Sequence, residues 1–574
     1  MTLLQRIFFP GQNLARRLSP ADLVISLVIV AFVMLGVRFA SSSPVSTTGL
    51  SISLDPTALP LYALYSIGRM AGAYVLSMLF SLLFGFYAAN NPRARWFMLP
   101  ILDILQSIPI LSFLPIVLLG FMAVLPQKWA VELASVVLIV TSQAWNIAYS
   151  WYQSLSTIPR DLHDATHMFG LNPWYRFKTL MLPFGAIGLI WNSVISWSNG
   201  WFFLMAAEAF QVNQKDFRLP GIGAYLKVAA DKGNTSAIIS GVIVLIIMIV
   251  ALDQLIWRPL VAWSERFRLD MVNADESSSS WFLDVLNNSS LVRSMKRKVF
   301  RPVTDKIDYF MSRYLPTGFH EARVLWVRVA LRWLCYIALI AIMFYAFGMG
   351  ALLLGTISLW QWGQLSLMVV ATFLRVIVSL ALCLIWTVPI GVAIGMNPKI
   401  ARWAQPFAQV AAAIPATALF PLFVLFLLRL SGTLEIPAIL LMMSGIQWYL
   451  LFNIIAGASA IPQDLRYTAS LMHMKGKGKW RDFILPSLFP YLVTGSVTAF
   501  TGAWNACIVA EYIVFQGKEL SVFGVGSRMS EATDQGNYAM LLASTLTLVV
   551  VVVLVNRFVW RRLFQIAEDR YRME

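Results

Sequence analysis

The sequence predicts an all-α polytopic membrane protein, with about twelve transmembrane helices in two fused six-helix units. Three observations predict it. Of 574 residues, 59% are hydrophobic and only 13% charged, more apolar surface than a soluble chain of this size can hide. Apolar runs of about twenty residues recur, among them Ala21–Ala40 and Ser236–Trp257, each able to cross a bilayer core as a helix. The second half also repeats the first in register, the mark of a duplicated unit. The apolar runs are continuous rather than alternating, which makes a transmembrane β-barrel a poor reading.

In chain order, residues 1–20 form an N-terminal segment carrying Arg6, Arg16 and Arg17. Cations ahead of a long apolar run place that segment in the cytoplasm before an uncleaved first span. The first unit, 21–258, has spans near 21–40, 62–89, 98–124, 128–150, 184–207 and 237–257. Residues 259–325 are polar, mixed in charge and serine-rich at their centre, as expected of a cytoplasmic linker. Within it, Trp281–Phe310 has the make-up of a short amphipathic helix whose cations suit solvent or lipid headgroups. The second unit, 326–560, has spans near 329–354, 365–394, 405–429, 435–456, 487–510 and 538–558, and 561–574 is a cytoplasmic tail.

The formal charge is +16, from 44 Lys and Arg against 28 Asp and Glu. The cations flank apolar spans, so they set topology rather than bind nucleic acid. Cys335, Cys383 and Cys507 all lie in apolar runs and have neither disulfide nor metal spacing.

The repeat is dense. Ile158-Pro159 and Ile461-Pro462 lie 303 positions apart, as do Trp201 and Trp504, Ala207-Glu208 and Ala510-Glu511, and Gly221-x-Gly223 and Gly524-x-Gly526. Upstream the offset is 306, pairing Arg69 with Arg375, Gly85 with Gly391, and Ile108-Pro109 with Ile414-Pro415.

One stretch interrupts the oil in each unit: Ile158–Phe184 and Ile461–Ser487. Pro159 suits a helix's first turn and Gly170 its C-terminal cap, with Leu162, Ala165, Met168 and Phe169 forming a narrow apolar stripe. Asn172-Pro173 starts a second short helix expected to end before Pro183. The small residues Ala165 and Thr166 let another protein approach the backbone. Leu465, Thr468, Ala469, Leu471 and Met472 repeat the stripe. His163 and His167 are spaced i,i+4, but no third metal ligand accompanies them.

This pattern resembles the cytoplasmic "EAA" loop of permeases from binding-protein-dependent ABC importers. The family's Glu-Ala-Ala, three residues, Gly and a later Leu-Pro correspond to Asp164-Ala165-Thr166, Gly170 and Leu182-Pro183. The second copy has Tyr467-Thr468-Ala469, His473 and Leu485-Pro486, without the acidic residue or the glycine. Arg69, Ile108-Pro109, Trp201, Ala207-Glu208 and Gly221-x-Gly223, all repeated, resemble the nitrate/sulfonate/taurine/bicarbonate group. The resemblance implies two fused type I importer permease units. It implies that Asp161, Leu162, Asp164, Ala165, Thr166 and Gly170, with Asp464, Leu465, Thr468, Ala469 and His473, couple to ATPases. No Gly-x-x-x-x-Gly-Lys-Ser/Thr loop occurs in the chain. ATP and Mg would therefore sit on two partner ABC ATPase subunits, with no cofactor on this chain, and one periplasmic or lipid-anchored solute-binding protein would deliver the solute. The chain itself is expected to be a permease rather than an enzyme, multi-pass in a bacterial inner membrane, with both termini cytoplasmic.

By the same resemblance the fifth span of each unit lines the translocation path, with Asn199 and Trp201 in the first and Trp504 and Asn505 in the second. Glu208 and Glu511 end those spans at the outer side. Arg69 and Arg375 are intramembrane arginines, which are functional candidates in general. Attraction of an anion and pairing with a carboxylate such as Glu208 both stay open, with pairing favoured. An ion-coupled secondary transporter with two six-helix halves is the alternative reading. Against it stand the polar elaboration in the fourth-to-fifth-span loop and the lack of paired buried carboxylates for ion coupling.

Overall fold

The structure is a computed structural model that describes residues 52–570, apart from 108–109, 123–124, 213–214, 268–279, 290–296, 299–300, 315–347, 349, 432, 462 and 516–517. Among the described residues, eight helices are long and apolar enough to cross a membrane. They are Pro56–Asn90, Gln127–Ser156, Pro173–Glu208 and Thr235–Ser264 in the first half. Leu359–Met396, Glu435–Ser459, Gly476–Ala510 and Tyr538–Ala567 are their counterparts in the second. The fold is all-α and polytopic. The expected first span, 21–40, and most of the seventh, 329–354, lie outside the described residues.

The third span of each half departs from expectation. Residues 405–429 do not form one helix but fall in two, Pro398–Ala413 and Ala416–Ser431, each of 16 residues. At ~1.5 Å per residue, each reaches only ~24 Å, short of a ~30 Å hydrocarbon core. The break is at Ile414, whose backbone is extended (φ −74°, ψ 117°). Pro415 accounts for it, because proline excludes its predecessor from helical geometry and brings no N–H. In the first half, Pro92–Ser107 and Leu114–Met122 flank the matching Ile108-Pro109.

The Leu-Pro pairs act differently from the sequence reading. The helix begun at Pro173 does not end before Pro183. It passes through a π-helical turn, Phe177–Met181, straight into Leu182–Glu208. Trp480–Ile484 does the same ahead of Leu485–Ala510. A wider i→i+5 turn re-registers the hydrogen-bond ladder, so the missing proline N–H leaves no gap in it.

Two short hairpins, Gln211–Val212 with Lys215–Asp216 and Tyr512–Phe515 with Lys518–Ser521, follow the fifth spans. Strands of two and four residues are too short to stand out in sequence, and the apolar Tyr512–Phe515 runs on from the apolar fifth span. Among the described residues the linker has the helices Trp281–Asn288 and Arg301–Tyr314, and the first ends at Ser289, so no single helix runs across 281–310. The sixth helix of the first half runs on to Ser264, past the span end expected at 257.

The two halves share a buried core and are joined by polar contacts between their central spans. The Tyr449 hydroxyl donates to Asn199 Oδ1, and the Ile110 N–H donates to Asn505 Oδ1 at 2.6 Å.

Candidate functional site

Three features are built from the repeated motifs: a pair of exposed loops, a pair of buried charge clusters, and a cavity between the halves.

The first loop is the helix Arg160–Met168, closed by Gly170 at φ 62°. The Leu171 N–H donates to Thr166 O at 3.1 Å and the Gly170 N–H to His167 O at 3.0 Å, the paired bonds of a Schellman cap. Glycine pays no Cβ penalty in this left-handed conformation. The second loop, Gln463–Leu471, keeps the same cap with a different residue. Met474 N–H donates to Ala469 O at 3.1 Å, His473 N–H donates to Ser470 O at 3.0 Å, and His473 itself stands at φ 51°. A non-glycine residue there costs about 1–2 kcal/mol, so the geometry survives the loss of glycine.

The apolar stripe of each loop is not spent on its own fold. Met168 is 88% and Phe169 80% exposed, and Leu471 and Met472 are 78% and 71% exposed at the matching place. Leu162, Leu465, Asp161, Asp164, Thr468, Gly170 and His473 are exposed too, while Thr166 and Ala469 are buried and Ala165 is half-buried. Asp464 lies in the first turn of the second loop helix. His167 faces Arg176, with Nε2 3.0 Å from Nη1.

The charge clusters hold together the ends of the central spans that lie away from the loops. Arg69 forms a bidentate fork with Glu132 (2.7 and 2.8 Å) and donates through Nη1 to Glu208 (2.9 Å) and to Pro220 O (2.7 Å). Glu208 is fully buried. Its remaining capacity is met by the Ser66 hydroxyl at 2.8 Å and the Gly223 N–H at 2.9 Å. Arg375 repeats the arrangement with Glu435 (2.7 and 2.8 Å), Glu511 (2.8 Å) and Phe523 O (2.8 Å), and the Gly526 N–H donates to Glu511 at 2.8 Å. Buried charges are expected to be paired and hydrogen-bonded in this way.

The Gly-x-Gly motif follows from this cluster. A Cβ at Gly221 would stand 2.3 Å from the Glu208 carboxyl, and one at Gly223 would stand 2.7 Å from Met205 O. Gly221 has an extended backbone (φ 178°), so it is space, not conformation, that demands glycine.

The cavity, of about 230 Å³, lies between the halves. Leu111, Leu114 and Phe210 from the first half and Phe420, Ile508 and Val509 from the second wall it. Lys227, Tyr512 and Asp534 supply its charged and phenolic groups. Lys227 Nζ lies 2.9 Å from Asp231, and the Tyr512 hydroxyl donates to Asp534 at 2.7 Å. Burial raises the Asp534 carboxyl above its usual range.

The structure thus unites some predicted residues and separates others. Arg69 with Glu208, and Arg375 with Glu511, are salt-bridged structural clusters rather than free cations. Asn199 and Asn505 bridge the halves. Trp201 and Trp504 were expected to line a path; here they are buried to 0% and 1% exposure. Trp201 packs edge-on to Trp197 and Trp504 edge-on to Phe500, so neither indole faces an open passage in this conformation. Glu132 and Glu435 were missed. They lie 303 positions apart, and carrying that offset upstream into the fourth span would have paired them.

These features define a membrane-embedded helical protein made of two copies of one unit, each with a buried arginine–carboxylate cluster and an exposed loop. The family of binding-protein-dependent transport system inner membrane components matches residues 81–256 and again 387–572. Those two matches take in more than half of the chain, and the chain belongs to that family, as two permease units in tandem. Membership sets the secondary transporter aside. The chain is similar to the bicarbonate transport system permease protein CmpB of Synechococcus elongatus, 25% identical over 190 residues, 33% of this chain and 65% of CmpB. It is similar to the nitrate import permease protein NrtB of a Synechocystis species, 22% identical over 195 residues, 34% of this chain and 67% of NrtB. The taurine transport system permease protein TauC of Escherichia coli is 26% identical over 144 residues, 25% of this chain and 50% of TauC. The chain thus spans 65% of the length of CmpB.

Proposed function

We propose that this chain is the transmembrane permease component of an ATP-driven importer, supplying both permease units. Two ABC ATPase subunits, carrying ATP and Mg, dock on its two loops from the cytoplasm, and one external solute-binding protein feeds it. The observation that carries this reading is the duplicated loop: a capped helix that leaves Met168 and Phe169, and again Leu471 and Met472, bare to solvent. Large apolar side chains clustered on a polar loop are what a docking partner covers. ATP binding draws the ATPases together and moves both loops, and the halves alternate between outward and inward openings. On this reading the loops and both termini are cytoplasmic and the membrane is the bacterial inner membrane.

The names of the relatives support a small anion as solute: nitrate, bicarbonate, or a sulfonate such as taurine. The cavity favours the organic end of that range. Its walls are mostly aliphatic and aromatic, with the hydroxyls of Thr417, Ser530 and Thr533 among them, and Lys227 already faces Asp231. Arg69 and Arg375 are each saturated by two carboxylates. An inorganic anion stripped of water there would lack compensation, whereas an anion with an apolar body would bury that body against Leu114, Phe210 and Ile508.

The test is the mass of the intact complex, purified from its native membrane in mild detergent. One permease chain with two ATPases is the expected result. A chain that emerges alone and moves solute in liposomes without ATP would overturn the proposal.

A further inference from the structure

The linker helices share two properties that the transport reading does not use. Both rest against the loop-side ends of membrane spans, and both carry large apolar side chains that are at least two-fifths exposed. Trp281 Nε1 donates to Gln254 Oε1 at 3.4 Å. Gln254 stands just past the apolar helix Thr235–Leu252, beside Asp253. Asp308 receives the Trp174 indole N–H at 2.8 Å and pairs with Lys178, which holds its carboxyl below the usual range. Trp174 stacks on Phe177, and Phe177 meets Phe86 edge-on at 6.5 Å, near the end of the helix Leu59–Asn90. The linker helices are therefore level with the boundary where the spans leave the apolar layer.

On Arg301–Tyr314, Val303, Ile307 and Phe310 follow at i, i+4 and i+7 and are 49%, 43% and 54% exposed. On Trp281–Asn288, Trp281 and Val285 are 60% and 53% exposed. The cations Arg297, Lys298, Arg301 and Lys306 are exposed alongside.

We propose that the linker is an interfacial element that binds the bilayer surface. Its two helices bury their apolar faces at the headgroup–acyl boundary of the leaflet on the loop side, and its cations engage anionic phospholipid headgroups. A narrow apolar stripe bearing aromatic residues, flanked by cations and held at membrane level, fits that environment. The chemistry named is an anionic phospholipid surface rather than the docked ATPase. What places the stripe beside lipid is its continuity with the span ends at Gln254 and Phe86. Asp308 then ties this surface-bound helix to the first loop through Trp174 and Lys178. The matching positions of the second loop are Lys477 and Arg481.

The test uses the full chain reconstituted in vesicles. A photoreactive amino acid is placed at Ile307 or at Phe310, and at Asp305 as the control on the opposite face. In vesicles of three parts neutral to one part anionic phospholipid, the expected products at 307 and 310 are adducts of phospholipid mass, at several times the yield from 305. The yield should fall in purely zwitterionic vesicles and when Arg297, Lys298, Arg301 and Lys306 are replaced by Gln. Equal lipid yields from all three positions would overturn the proposal. So would cross-links from 307 and 310 that go only to an added ATPase subunit. Because the probes sit on exposed surface, retention of a monodisperse elution peak separates either result from misfolding.

Discussion

Arg69→Met should be among the most damaging single changes this chain can suffer, and its mirror, Arg375→Met, should match it. The substitution leaves Glu208 fully buried with only the Ser66 hydroxyl and the Gly223 N–H to hold its charge. Removing one partner of a buried pair costs about 3–5 kcal/mol. Each kcal/mol moves Tm by about 2–4 °C in a unit the size of one half, so the expected drop is about 6–20 °C. Glu132→Gln should cost about 1 kcal/mol or less, because its side chain is 34% exposed and water replaces the lost contact. The double variant Arg69→Met/Glu208→Gln should recover most of the loss, since a neutral amide still accepts from Ser66 and Gly223 and no orphan charge remains. The assay is thermal unfolding of the purified chain in detergent, followed by size-exclusion retention. An Arg69→Met midpoint within 2 °C of the parent would refute the reasoning. A double variant less stable than either single variant would do the same. If Arg69 instead served the solute, Arg69→Lys would change transport selectivity while keeping the midpoint.

Other consequences follow from the same geometry. Gly221→Ala puts a methyl 2.3 Å from the Glu208 carboxyl and should cost about 1–3 kcal/mol by overpacking, whereas Gly68→Ala, with nothing within 4 Å, should be neutral or stabilising; parallel melting curves decide. At Gly170 a new Cβ meets nothing within 4 Å of its own chain, so Gly170→Trp should leave the isolated chain within about 2 kcal/mol of the parent yet lose ATPase in co-purification and uncouple transport. Normal transport would sink the docking assignment. Asp534, whose pKa burial raises, binds protons more tightly folded than unfolded, so its charge destabilises the fold at neutral pH and less as pH falls toward the usual carboxylate range. Asp534→Asn should therefore raise Tm at pH 7, with the gain shrinking in acid; a gain that grows on acidification would contradict the sign.

Sequence carried the duplication, the loops and the span order because each rests on local pattern: apolar length, prolines and a fixed offset. Pairing of Arg69 with Glu208 was also foreseeable, since both are charged residues near the loop-distal end of an apolar run. The bidentate partners were not. Glu132 and Glu435 lie near the starts of their spans, where acidic residues are ordinary, and only the three-residue change of offset between the third and fourth spans conceals their match. The broken third span was hidden for another reason. Its apolar length satisfies a membrane helix, and Ile414-Pro415 sits where a proline kink would be tolerated equally well. Nor did sequence reveal that Trp201 and Trp504 are packed away, because burial against neighbours and exposure to a path both select a tryptophan in an apolar run.

The two halves have kept some features and let others drift, and the division follows burial. The arginine clusters agree to within 0.1 Å at each matched acceptor, although the backbone carbonyl is reached from Nη1 of Arg69 and from Nη2 of Arg375. Losing the arginine from either copy would orphan a fully buried carboxylate, Glu208 or Glu511, so that pair is held in both copies. The loops face outward and are free to change. Gly170 has become His473 at the same backbone conformation, Trp174 and Lys178 have become Lys477 and Arg481, and the linker helix contacts the first loop through Asp308. Two ATPases on this chain would therefore stand on unequal platforms. Asp308→Asn removes the partner charge of Lys178 beside the first loop and touches nothing beside the second. It should weaken ATPase retention at one site only, so that the intact-complex mass shifts toward a single ATPase per chain. Simultaneous loss of both subunits would instead mean that the halves transmit strain to each other through their shared core, and that the loops act as one unit despite their different sequences.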